Sequence, residues 1–301
     1  MDIPAIAVYD LSKRYPKSKN YALRRLNLDV ESGEVYGFLG PNGAGKSTTI
    51  RLLLNFIQPT RGTASILGRD IVKDSVLVKR SIGYLAGEVA LYPKMRGRQF
   101  LEYMSQLSAG PRRPRIKDLA QKFRVELDRP IGVLSKGNRQ KIGIIQAFMH
   151  QPEVLVLDEP TSGLDPLMQE YFFELIKESR SRGAAVFVSS HNLSDVRKMC
   201  DRIGFIRGGK LIAEQTIADL AKTATQTFDI AFAAEVPMVE LKRLTGAKLT
   251  KNSASHVTVR VRGDLSRLFA ILARHKVNSI NQREVDLEEE FLQLYKGRDE
   301  R

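Results

Sequence analysis

Cysteine is nearly absent from this 301-residue chain; Cys200 is the single one. One thiol excludes an intramolecular disulfide framework and fits a reducing compartment. Long hydrophobic runs are absent too, and none approaches the roughly 18–20 residues needed to span a bilayer. The first residues, MDIPAIAVYDLSKRY, place an acid at Asp2 and only a short apolar stretch after it, so no secretory signal is expected. Internal repeats and low-complexity segments are lacking. Acidic residues are in deficit, with 34 Asp+Glu against 48 Lys+Arg and a formal net charge of +14. That balance suits nucleic acid, an anionic membrane surface or an anionic ligand, and does not choose among them. With 43% apolar and 27% charged residues the chain is not disordered throughout. Its length accommodates one large or two ordinary domains with a substantial core.

The charge is unevenly spread. Residues 91–150 hold 13 Lys/Arg against 4 Asp/Glu, whereas 217–301 hold 14 against 12. The basic stretch includes RRPRIK at 112–117. It reads either as a solvated helical face or as a docking surface for an acidic partner or lipid headgroups. Nothing in the stretch resembles an RNA-binding motif with interleaved aromatics.

The first half reads as strands and helices in alternation. Ile6 and Val8, and Leu26, Leu28 and Val30, follow strand spacing. Residues 34–39 form a strand running into a Gly-rich turn, and 47–56 a helix ending before Pro59. Residues 98–108 and 115–125 look helical, as does 166–180. Val154-Leu155-Val156-Leu157 and 184–189 are short continuous apolar runs, the pattern of strands covered on both faces. Together they imply a largely parallel α/β sheet. After about residue 217, Phe228, Ile230 and Phe232 alternate, as do Val257, Val259 and Val261. Leu265, Leu268, Phe269 and Leu272, and Leu287, Phe291 and Leu294, follow helical spacing. The expected organisation is a domain over 1–216, with a helical subdomain at about 88–150, and a small α+β accessory module over 217–301.

Gly40-Pro41-Asn42-Gly43-Ala44-Gly45-Lys46-Ser47-Thr48 matches G-x4-G-K-[ST] between a strand and a helix. Glycines let backbone N–H groups close around phosphate oxygens, and the helix N-terminus adds its dipole. Lys46 supplies a positive charge to the β- and γ-phosphates, and the Ser47 hydroxyl is a Mg²⁺ ligand. The strand at 154–157 ends in Asp158-Glu159. Asp158 stands where the Mg²⁺-coordinating acid belongs, and Glu159 is placed to act as general base on the attacking water.

Four further stretches resemble the ATP-binding subunit of ABC transporters, over about residues 5–215. Leu134-Ser135-Lys136-Gly137-Asn138-Arg139-Gln140 resembles the signature motif, and Ser162-Gly163-Leu164-Asp165 the D-loop. His191, after the strand ending Ser189-Ser190, resembles the switch histidine, and Tyr15 the aromatic that stacks on adenine. The resemblance implies a P-loop NTPase fold and a head-to-tail dimer sandwiching two MgATP. Ser135 and the Gly137 N–H would then bind the γ-phosphate of the other chain's ATP, His191 would hold the γ-phosphate and water in cis, and Asp165 would link the two sites.

Two departures stand out. Lys136 and Asn138 replace Gly and Gln of LSGGQ, while the phosphate-facing Ser135 and Gly137 remain. At Gly87, followed by Glu88, the family normally carries the Gln that contacts Mg²⁺ and the membrane partner. The expected function is an ATPase that drives a separate transmembrane permease from the cytoplasmic side of the membrane, as a peripheral subunit. Leu287-Glu288-Glu289-Glu290-Phe291 near the C-terminus resembles the tail of ABC-2 exporters, which makes export the expected direction. The alternative is a soluble ABC-type ATPase acting on the ribosome or nucleic acid. A single cassette disfavours it, as does the lack of heptads in the roughly 85 residues between Ser47 and the signature, so no direct nucleic-acid partner is expected.

Overall fold

The computed structural model describes residues 3–107, 115–223, 225–262 and 265–283. The chain divides into two compact units, Met1–Ile217 and Ala218–Arg301. In the first, strands in chain order are β1 (Ile6–Arg14), β2 (Tyr21–Val30), β3 (Val35–Leu39), β4 (Arg61–Ile66), β5 (Arg69–Asp70), β6 (Ile82–Leu85), β7 (Val154–Asp158), β8 (Ala185–Ser190), β9 (Arg202–Arg207) and β10 (Lys210–Thr216). They form two sheets. One is antiparallel in the order β2-β1-β4-β5. The other runs β10-β9-β3-β8-β7-β6, parallel from β9 to β6, with β10 antiparallel at its edge.

The largely parallel sheet expected is the second one, and the first two strands pair antiparallel in a sheet of their own. Val8 faces Leu28 in an antiparallel ladder. The reason is the link: only residues 15–20 separate β1 from β2. A parallel return needs a dozen or more residues. In the other sheet β3, β7 and β8 are buried at every position, which is why each reads as an unbroken apolar run. The helix Lys46–Leu53 lies between the sheets. Its Ile50, Leu52 and Leu53 share one core with Leu23 and Ile66 on one side and Phe38, Val156 and Phe187 on the other. It ends three residues before the expected Phe56, where Asn55 turns through φ 50°. Within 88–150 the helices are Gly97–Leu107, Ile116–Lys122 and Lys136–Phe148. Part of the RRPRIK stretch lies outside the described residues.

Arg202 joins the two sheets. Its guanidinium donates to Asp29 (2.9 Å), Glu34 (2.8 Å) and Glu214 (3.3 Å), and lies 5.1 Å over the Tyr36 ring. The Glu34 hydrogen bond above all raises its pKa, so it stays charged throughout. Tyr36 donates to Glu214 at 2.7 Å, and burial pushes its phenol well above the usual range. Arg202→Ala leaves three carboxylates without their shared cation. Because Arg202 is partly exposed, the expected loss is about 2–3 kcal/mol, below the figure for a fully buried pair, read as a lower urea midpoint. Cys200 is buried against this sheet, and burial raises its thiol pKa.

The second unit contains β11 (Thr225–Phe232), β12 (Lys248–Lys251), β13 (His256–Arg262) and β14 (Val277–Arg283), with helices Met238–Leu241 and Ser266–Leu272 between them. The sheet order is β12-β13-β11-β14, antiparallel throughout. A β-α-β-β-α-β chain in that order is the split βαβ, ferredoxin-like arrangement. Phe228, Ile230 and Phe232 pack with Val257, Val259 and Val261 under Leu268 and Leu272. The expected helix at Leu287–Leu294 and its Leu-Glu-x-x-Phe pattern lie outside the described residues.

Candidate active site

The site forms at the carboxyl ends of β3, β7 and β8, where the apolar runs give way to polar residues. β3 ends at Leu39, and the next residue donates its N–H to Ser190 O (3.2 Å), tying the loop entrance to the end of β8. The loop closes on Gly45, which caps the helix Lys46–Leu53 at φ 117°. A Cβ there would sit 2.8 Å from Ala22 O, so both the backbone angle and the space demand glycine. The helix receives no side-chain cap. Its first-turn N–H groups thus point into the loop, an arrangement that binds anions. Ser47 is exposed at this end, and Tyr15 places its hydroxyl 3.5 Å from Thr48 Oγ1.

Lys46 is 6% exposed. Its ammonium donates to Gly40 O (2.6 Å) and Pro41 O (3.4 Å) and lies 3.3 Å from Glu159 Oε1. The other Glu159 oxygen meets His191 Nδ1 at 2.7 Å. Two of the expected residues, Lys46 at the start of the loop helix and His191 just after β8, therefore converge on the carboxylate of a third, Glu159, just after β7. Asp158, at the end of β7, accepts a hydrogen bond from the buried Ser189 hydroxyl of β8. Gly87 approaches the same carboxylate: a Cβ there would stand 3.5 Å from Asp158 Oδ2, in ordinary contact. Residue 87 is thus where a side chain would reach an ion held by Asp158, and glycine offers none. Glu88 beside it is exposed.

Ser135, Gly137 and Asp165 form a second group. Ser135 caps the helix Lys136–Phe148 by accepting from Asn138 N (3.2 Å). A Cβ on Gly137 would lie 2.7 Å from Gly163 O, so the first turn of this helix packs directly on the 159–165 loop. Asp165 caps the helix Pro166–Ser181 through Met168 N (3.0 Å), with Lys141 Nζ 4.0 Å away. Each residue therefore has a local structural task as well as the one its motif implies.

Gln140, Thr161, Ser189 and Asp195 surround the site as well, with no role of their own expected from the sequence. Gln140 is 2% exposed and donates to Pro160 O (3.1 Å). Thr161 donates to Asp195 at 2.6 Å, both side chains being 8% exposed. The available signal was a polar residue on a helix face otherwise apolar: Gln140 precedes Ile142, Gly143, Ile144 and Ile145, all buried.

The family described as "ABC transporter" matches residues 23–162, which include both the phosphate loop and the Asp158-Glu159 pair. The ABC transporter ATP-binding protein NatA of Bacillus subtilis (strain 168) is 36% identical over 223 residues, 71% of this chain and 91% of that protein. The chain belongs to the ATP-binding proteins of ABC transporters. The bacitracin transport ATP-binding protein BcrA of Bacillus licheniformis is also 36% identical, over 72% of this chain and 71% of that protein. A solved ATP-binding subunit of an ABC transporter superposes with a TM-score of 0.68 at 29% identity, covering 72% of this chain and 91% of that one. This ABC ATP-binding subunit is an ATPase with the P-loop NTPase fold.

Proposed function

We propose that two such chains meet head to tail around two MgATP and hydrolyse them to drive a separate membrane-spanning export subunit. What carries the reading is the convergence of Lys46 and His191 on the two oxygens of Glu159, beside a phosphate loop. ATP phosphates lie against the loop amides of residues 40–48, with Tyr15 against the adenine. A γ-phosphate competes for the Lys46 ammonium and releases Glu159 Oε1 to accept a proton from water. The water oxygen bonds to the γ-phosphorus, the bond to the β,γ-bridging oxygen breaks, and ADP departs with that electron pair. His191, held through Nδ1, keeps Nε2 available for the γ-phosphate. Ser47 and Asp158 are hard oxygen donors suited to Mg²⁺ and would hold it with phosphate and water oxygens; bound there, it neutralises phosphate charge.

The second group completes the site in trans. Ser135 Oγ already accepts from Asn138 N, so its own proton is left to donate to a phosphate on the facing chain. The Gly137 N–H opens the same helix. Asp165 lies beyond the loop that joins this group to Glu159.

For the membrane partner, the basic stretch at 91–150 supplies the charge. An open groove of about 800 Å³ there carries Arg98, Lys117, Arg124 and Arg129 beside Asp118 and Asp128. No helix among the described residues is long and apolar enough to cross a membrane. The bacitracin transport relative supports a transport role. Co-expression with the product of an adjacent gene bearing about six bilayer-length spans is expected to bring the chain into the membrane pellet. Failure to pellet, together with RNA binding that weakens steeply with salt, would sink the transporter reading.

A further inference from the structure

Glu159 is held in an unfavourable backbone conformation. Its φ is 47°, in the left-handed region, which disfavours any residue with a Cβ. Such a conformation persists only where its surroundings over-determine it. Its N–H donates to Ser189 O (3.1 Å), which fixes the residue's entry from β7. On the exit side the loop itself supplies only turn bonds, Ser162 N to Glu159 O and Leu164 N to Thr161 O. The next two residues are instead gripped by buried side chains from two different helices. Gln140 donates to the carbonyl of Pro160, and Asp195 accepts from the hydroxyl of Thr161. Gln140 lies on the helix that Ser135 caps, and Asp195 on the helix Leu193–Met199 that begins two residues after His191.

We propose that Gln140 and Asp195 are positioning residues for ATP hydrolysis, gripping Pro160 and Thr161 so that Glu159 stays in its left-handed conformation with its carboxylate over the phosphate loop. The proposal rests on the reading of Glu159 as the base. Neither residue touches a reacting atom. Removing either grip lets the backbone after Glu159 relax, and the carboxylate moves away from the water it must deprotonate. Displacements of about 1 Å in such a constellation cost on the order of a hundred-fold in rate.

The test uses the full chain with Asp195→Ala, Thr161→Val, the double variant, Gln140→Leu and Asp195→Asn. The first two and Gln140→Leu are expected to lower kcat by about ten- to a hundred-fold, with KM for ATP within about two-fold of wild type. The double variant is expected to be no slower than the poorer single one, because both remove the same bond. Asp195→Asn is expected to recover most of the rate, since its amide oxygen accepts the Thr161 proton as the carboxylate does. Amide exchange at 159–164 is expected to quicken in the impaired variants while the 40–48 loop is unchanged. A merely structural role would lower kcat, ATP affinity and Tm together, and that result overturns the proposal. So does wild-type kcat in Thr161→Val, whether or not Asp195→Ala folds. Retained turnover in Glu159→Gln would instead remove the base reading; the exchange data still decide whether Gln140 and Asp195 hold the loop.

Discussion

Glu159→Gln is expected to lower ATP turnover by about 10²–10⁴-fold, the usual contribution of a general base. ATP binding should survive. The amide keeps the shape of the side chain and still accepts from His191 Nδ1 through its oxygen, so the contact at 2.7 Å has a substitute. It no longer pairs with the Lys46 ammonium, which lies 3.3 Å away in the native chain. Lys46 is then bound only by the two loop carbonyls and turns more readily to a phosphate. Turnover should therefore collapse while the dissociation constant for ATP holds or improves. Steady-state hydrolysis beside calorimetric titration with ATP separates the two quantities. Wild-type turnover in the variant would show that another group accepts the proton.

The second large effect is expected from Lys46→Ala, and it falls on binding. Lys46 is almost enclosed, and the polar partners of its ammonium are oxygens: two backbone carbonyls and one carboxylate. Removing one member of a buried, hydrogen-bonded charge pair costs about 2–5 kcal/mol. For ATP that is roughly a 30- to several-thousand-fold loss of affinity. Fluorescent-nucleotide titration reads it directly. Affinity within ten-fold of wild type would mean that the loop amides alone hold the phosphates. The circular-dichroism spectrum should be unchanged, because the loop glycines and not Lys46 set the backbone at 40–45.

These sites were legible in the sequence because their chemistry demands particular residues at short, fixed separations. Gly45 and Lys46 are adjacent at the start of a helix, as are Asp158 and Glu159 at the end of a strand whose apolar run is visible. The buried strands β3, β7 and β8 were equally plain. Strands with a wet face were not: β4 is exposed at its first three positions, and β14 is exposed at all but one. The antiparallel pairing of β1 and β2 was open to an argument from the short link alone, which strand spacing does not supply. Least legible were the long-range grips. Gln140 and Pro160 are 20 residues apart, Thr161 and Asp195 are 34 apart, and Arg202 reaches Asp29 across 173. A glutamine or aspartate on a short helix reads as surface, and only the packed fold shows it enclosed. The left-handed turn at Glu159 left no trace in composition, because nothing about glutamate favours it.

The packing of Gly137 on Gly163 has one more consequence. In a head-to-tail pair, the helix that begins at Ser135 senses the neighbour's nucleotide, while the loop it presses on carries the base for its own. If two chains pair as proposed, a shift at one end of that contact would pass through the loop to the other, and the two sites would fire as a coupled unit instead of as two independent clocks.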